Sequence, residues 1–171
     1  MNIELKTMST EDIIELYSAS IKELKKREVI RTKNIIGELG EYLTVKYYNN
    51  TPGLPNLQAA PIGTQNIDAI SINGERYSIK STSTNLTGVF FGLEPKDSEK
   101  EDTQKFEFVI ICKFDEDYQL EEILEMDWDT FIENKKWHSR MNAWNLTLTK
   151  KLRKQCKIIY SREEKEEINN L

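Results

Sequence analysis

Five polar residues in the first half of the chain have the types and spacing to work on a phosphate. Glu38 and Glu41 lie three apart in Gly-Glu-Leu-Gly-Glu-Tyr (37–42), so on a helix they share a face. Asp68 stands between Ile67 and Ala69 in an otherwise apolar run. Aspartate is depleted in strands and costly to bury without a partner. Lys80 follows, with Ser78 two residues before it, and residues two apart on a strand point the same way. A carboxylate on one strand, a lysine on its hairpin partner and a glutamate from the preceding helix can meet at one point. Mg²⁺ takes one or two carboxylates, keeps several waters and binds substrate phosphate oxygens. Such an ion activates water and stabilises charge on the phosphate and the leaving oxygen. A lysine beside it can orient or deprotonate the water, or stabilise developing charge. Phosphodiester hydrolysis is the chemistry this set suits. The plainer alternative leaves Asp68 at a strand end or paired with Arg76, and Lys80 as an edge lysine. In that alternative Glu38 and Glu41 are surface charges paired with Lys33 or Lys46.

The elements that must position these residues are legible from periodicity. Ile13, Leu16, Tyr17, Ile21 and Leu24 recur at helical spacing behind a Ser9/Asp12 cap, predicting a helix over 9–29. Ile36, Leu39, Leu43 and Tyr47 predict a second from about Thr32 to Tyr48, stopped by Asn49-Asn50-Thr51-Pro52-Gly53. The period then changes to two. Leu57–Ala60, Ile67–Ile72, Arg76–Ser81 and Val89–Leu93 read as strands, and Phe106–Phe114 as a central buried one. Asp127 opens a short helix to about Asn134, and Trp144–Leu148 and Lys157–Tyr160 are short strands. The charged run Glu94–Gln104 is the expected mobile loop.

Asn73-Gly74 signals a hairpin between the Asp68 and Lys80 strands. A two-residue turn would set Asp68 opposite Ile79, so that Asp68 and Lys80 face opposite ways. One more loop residue, with Gly74 at positive φ in a bulge, sets Asp68 opposite Ser78 and puts Asp68, Ser78 and Lys80 on one face. The chemistry requires that bulge or a comparable bend.

The chain has 171 residues, 38% hydrophobic and 31% charged, which suits one soluble domain without a stabilising metal or disulfide. No apolar run is long enough to span a bilayer, and the acidic start lacks the pattern of a signal peptide. A cytoplasmic protein with no membrane contact is expected. Cys112 and Cys156 have no paired spacing, and His138 is the single histidine, so zinc and redox-pair chemistry is not indicated. Net charge is −5, yet residues 135–157 hold eight of the 24 bases and none of the 29 acids. Such segregation can serve as a phosphate footprint. Arg140, Lys150, Lys151, Arg153 and Lys154 are the candidate DNA contacts, and Trp137, His138 and Trp144 are interleaved with the bases. A solvated helix face with core tryptophans is the other account.

These motifs resemble those of the PD-(D/E)xK, restriction-endonuclease-like nucleases. The resemblance is carried by 37–42, by Ile-Asp-Ala-Ile at 67–70 and by Arg-Tyr-Ser-Ile-Lys-Ser at 76–81. It extends to the Trp-His-Ser-Arg and Ala-Trp-Asn-Leu-Thr-Leu runs at 137–148. It implies an α/β fold: a single restriction-endonuclease-like domain over 1–161, with a central mixed β-sheet flanked by helices, and a charged tail at 162–171. It also implies roles. Asp68 would be the metal-binding aspartate and Lys80 the motif lysine. Glu41, or Glu38 in its place, would be the helix glutamate that orients metal-bound water. The backbone carbonyl of Ile79 would be a further ligand. Ser78 departs from the pattern, which has an acid there. A hydroxyl is a neutral, weaker ligand, so metal binding is weakened, reliance moves to Glu41 or Glu38, or hydrolysis is lost. The expected activity is Mg²⁺-dependent cleavage of double-stranded DNA, with Mn²⁺ as a substitute, in restriction or DNA processing. One site per small chain suggests a homodimer, each subunit cutting one strand. The alternative is a catalytically weakened DNA-binding or complex subunit of a restriction or anti-phage system. More distant is a protein–protein module whose basic segment docks an acidic partner.

Overall fold

The computed structural model describes residues 4–61 and 63–163. It is an α/β domain built on a mixed six-stranded sheet in the order β1-β2-β3-β4-β5-β8. The strands are β1 (Leu57–Ala59), β2 (Ala69–Ser71), β3 (Arg76–Thr82), β4 (Phe108–Phe114), β5 (Leu120–Asp127) and β8 (Lys157–Ser161). Only β3 and β4 run parallel; the other neighbours are antiparallel. β6 (Lys136–His138) and β7 (Ala143–Asn145) form a separate two-stranded ribbon. The helices are α1 (Thr10–Lys26), α2 (Ile35–Asn50), α3 (Trp128–Asn134) and α4 (Lys150–Gln155). None is long and apolar enough to cross a membrane.

Alternation along β4 divides the core in two. Ile110 and Cys112 face α2, with Tyr48, Tyr77, Ile79 and Ile123. Val109 and Ile111 face the other way, toward Phe90, Phe131, Leu146 and Leu152. Each sheet face therefore has its own cover, α2 on one and α3, α4 and the 83–107 crossover on the other. β4, buried on both faces, is the central strand that its apolar run predicts.

Local signals account for the ends of the helices. Ser9 and Asp12 form a reciprocal capping box on α1. At the far end, the Val29 N–H donates to Leu24 O and the Glu28 N–H to Lys25 O. Glu28 sits at φ +59, which makes this a Schellman stop with a non-glycine residue in the left-handed position. Asn34 caps α2 by accepting from the Gly37 N–H. A Cβ at Gly37 would collide with that Asn34 side chain.

Some expectations need correcting. The α1 stripe meets no core, since no residue of α1 is buried. The residues of α2 closest to the sheet are Gly40, Thr44 and Tyr48, with the Ile36/Leu39/Leu43/Tyr47 row packed beside them. Small residues at 40 and 44 let the helix settle along a line that hydrophobicity does not mark. Residues 89–93 make no strand; Phe90 forms an isolated bridge to Trp144. The 94–104 loop is anchored. Asp102 accepts from the Glu94 N–H and pairs with Lys135, and Trp144 Nε1 donates to Glu94 O. α4 lies inside the basic segment, where strong charge hides its one buried anchor, Leu152. Of the expected tail, 164–171 lies outside the described residues.

A Cβ at Gly40 would land on Ser81 Oγ and come within 2.9 Å of Ser81 Cβ and 3.3 Å of Cys112 Cβ. Gly40→Ala should cost about 1–3 kcal/mol of unfolding free energy by overpacking, read as a lower denaturant midpoint. Ser81→Gly in the same chain should recover part of that loss. Strictly additive losses would show that α2 and β3 do not meet there.

Candidate active site

The site begins with the hairpin. Ala69 pairs with Tyr77 and Ile70 with Arg76, leaving the three-residue loop Ile72-Asn73-Gly74. Gly74 has φ +87, as a G1-type bulge requires. Continued one step, the register sets Asp68 opposite Ser78, which is the arrangement the chemistry requires. β2 starts only at Ala69, so beyond it the β3 edge has lost its ladder partner. The Asp68 side chain fills that place. Its Oδ2 accepts the Ile79 N–H at 2.7 Å and the Ser78 hydroxyl at 3.4 Å. Its backbone is held on both sides, donating to Tyr77 O and accepting from the Ala60 N–H. In an extended strand the N–H and C=O of one residue point to the same edge. The Ile79 carbonyl therefore opens on the same gap as Asp68.

Ser78 is fully buried. Lys80, two residues on, is partly exposed and sets its amine 5.0 Å from the centre of the Phe90 ring. The lysine thus leans toward the crossover, away from the face that α2 covers.

α2 brings the glutamates. Neither pairs with Lys33 or Lys46, and Arg76 is committed to Glu107 rather than Asp68. Arg31, in the connector before α2, reaches both glutamates: Nε to Glu38 at 3.0 Å and Nη2 to Glu41 at 3.1 Å. The Arg31 backbone N–H also donates to Glu38, at 2.8 Å. Glu38 is buried, so the plainer alternative of a surface charge does not hold for it. Burial alone would raise its pKa. Hydrogen bonds from the Arg31 side chain, the Thr32 hydroxyl and the Arg31 backbone outweigh that and hold it below the ordinary range. Glu38 is a structural anion that ties the connector to the helix.

Glu41 differs. Its carboxyl is pushed up, first by burial and then by the Asp68 charge, with Arg31 and Lys80 pulling the other way. Glu41 thus lies in the field of both Asp68 and Lys80. Two adjoining hollows, about 280 and 310 Å³, meet where Arg31, Glu38, Glu41 and Asp68 line both. Lys80 lines neither. Among the described residues no three acids, histidines or cysteines stand ready as a metal cluster. Asp68, Glu41 and the Ile79 carbonyl still make a hard oxygen set of the kind Mg²⁺ accepts with water completing its shell. Arg31 would have to leave Glu41 first. Arg31 escaped the sequence reading because nothing in Ile-Arg-Thr-Lys-Asn marks it; only the folded connector returns it to α2.

The basic candidates are divided. Arg140, Lys150, Lys151 and Lys154 are exposed, whereas Arg153 pairs with Glu122. α4, through Leu152, belongs to the face opposite α2. Trp137 and Trp144 pack edge to face at 5.2 Å, and His138 Nδ1 accepts the Met141 N–H in the turn after β6. Cys112, free and buried, has its thiol pushed up to about 12 by burial and is inert.

A comparison with known proteins found no family model that matches the chain and no curated protein significantly similar to it.

Because its folded pKa is raised, Glu41 adds stability only while protonated. That contribution is full below the ordinary glutamate range and is lost as pH rises through the folded value. Glu41→Gln should therefore raise Tm at neutral pH, with the gain vanishing in acid. A gain independent of pH would show that the Glu41 charge carries no such cost.

Proposed function

We propose that this chain is a metal-dependent endodeoxyribonuclease of the PD-(D/E)xK type, acting on double-stranded DNA with Mg²⁺ or Mn²⁺. The observation that carries this reading is the Asp68 carboxylate in the gap between β2 and β3, opposite Ser78 and lining the same hollows as Glu41. When bound, the ion would polarise the phosphate and lower the pKa of a bound water, held by Asp68, Glu41 and the Ile79 carbonyl. Glu41 would orient the attacking water beside the ion. Lys80 would orient that water or offset charge developing on the phosphate. Arg31, 41% exposed at its side chain, would exchange Glu41 for a phosphate oxygen, a geometry guanidinium favours. The exposed bases at 140, 150, 151 and 154 would add sequence-independent affinity.

A second reading has its own observation. Ser78 supplies a hydroxyl where the pattern has an acid, and it donates to Asp68 from a fully buried position. A DNA-binding or complex-forming subunit that has lost hydrolysis would look the same.

Plasmid DNA incubated with the protein and Mg²⁺ or Mn²⁺ separates the two. The first reading expects nicking or linearisation, reduced about 10²-fold or more by Asp68→Ala and by Lys80→Ala. Steeply salt-dependent binding with no cleavage supports the second. No DNA affinity at low salt removes both. Lys150→Glu with Lys154→Glu should weaken binding across sequences alike, and unchanged affinity would take α4 out of the footprint.

Ser78→Asp tests the metal position without reference to activity. The new acid beside Asp68 should lower Tm in chelator and regain it with Mn²⁺. A loss that Mn²⁺ does not reverse would place no ion between Asp68 and residue 78.

A further inference from the structure

We propose that α1 is a self-association surface on which a second copy of this chain docks as an antiparallel helix pair. The inference does not depend on the nuclease reading. α1 is 17 residues long with no buried residue, or about 25 Å of helix. Its apolar residues are nonetheless ordered. Ile13, Tyr17 and Leu24 form one row, and Ile14 and Ile21 the row beside it, at the three- and four-residue spacing of a helix seam. Ile13, Ile14 and Tyr17 are 40%, 59% and 62% exposed, with Ile21 and Leu24 partly covered beside them, an apolar face of the kind that marks an interaction surface.

Charge along the helix selects the occupant. Glu11, Asp12 and Glu15 occupy the first two turns, and Lys22, Lys25 and Lys26 the last two. Glu23 is neutralised within the helix by Arg27. A parallel copy would set acids on acids and bases on bases. An antiparallel copy, its two-fold axis near Tyr17 and Ser18, sets Glu11 against the partner's Lys25 and Ile14 against the partner's Ile21. It also sets the helix dipoles antiparallel, each positive end beside the partner's negative end. The surface is self-complementary, as an isologous two-fold contact requires. The Schellman stop at Glu28 and the buried Val29 and Ile30 anchor the C-terminal end of α1 to the domain.

Sedimentation of the full chain from micromolar to several hundred micromolar should show a monomer–dimer equilibrium. Ile14→Asp with Tyr17→Asp should weaken the dimer at least tenfold. Both side chains are exposed, so at concentrations where the wild type is monomeric circular dichroism and Tm should be unchanged. Glu11→Lys with Glu15→Lys should give a monomer, as should Lys22→Glu with Lys25→Glu, and mixing these two variants should restore a dimer. A wild-type monomer throughout the range overturns the proposal. So does a dimer that survives either charge reversal, or the absence of a mixed dimer between the reversed chains.

Discussion

The Asp68 carboxylate bonded to the Ile79 N–H is the contact on which the rest of the candidate site depends. β2 runs beside β3 only from Ala69 to Ser71, and past Ala69 the β3 edge would be left with unpaired polar backbone. Such groups must find a partner, and a side-chain carboxylate takes the place of the missing strand. The bond closes the sheet and also holds an anion at a splayed strand edge, where a cation and a phosphate have room to approach. A third loop residue with Gly74 at positive φ sets this register. With one residue fewer the carboxylate would turn to the other face, because side chains on a strand alternate with period two.

α2 completes the arrangement through close approach. Gly40 and Thr44 lie on the line nearest the sheet, and the lack of a side chain at Gly40 lets the helix settle against Ser81 and Cys112. That approach brings Glu38 and Glu41 to the hairpin, where Arg31 gives them different tasks. Glu38, with both the backbone and the side chain of Arg31, is a fastening for the connector. Glu41 has one guanidinium bond, a raised pKa and the Asp68 charge nearby. A carboxylate whose charge is disfavoured by burial and by Asp68 suits chemistry better than stability.

Charge elsewhere is arranged with less tension. Much of the basic segment is internal: Lys135 serves Asp102 and Trp144, and Arg153 serves Glu122. These contacts pin the acidic 94–104 loop and α4 to the domain. What remains exposed lies on a different face from α2, so DNA touching both regions would have to wrap around an edge of the sheet. α1 stands apart, and its face is complementary to itself rather than to the rest of the domain.

Much could be read from local pattern. The capping box on α1, the Asn-Gly hairpin, the buried run of β4 and the Asp127 cap of α3 depend on neighbouring residues and short-range sterics, so the chain declares them. Asp68 stood out as a polar group in an apolar run, and Glu41, Ser78 and Lys80 through their spacing and the motif they share. Other features depended on partners distant in sequence. Arg31 reached Glu38 and Glu41, Gly40 rather than a leucine met the sheet, α4 emerged from a run of bases, and the α1 stripe found no core. The sequence determined most of the helices and strands and the candidate polar residues, because propensity, capping and alternation are local. The tertiary structure alone decided which charges meet, which faces are covered and where the sheet opens, because Coulomb and packing energies depend on distance in space rather than along the chain.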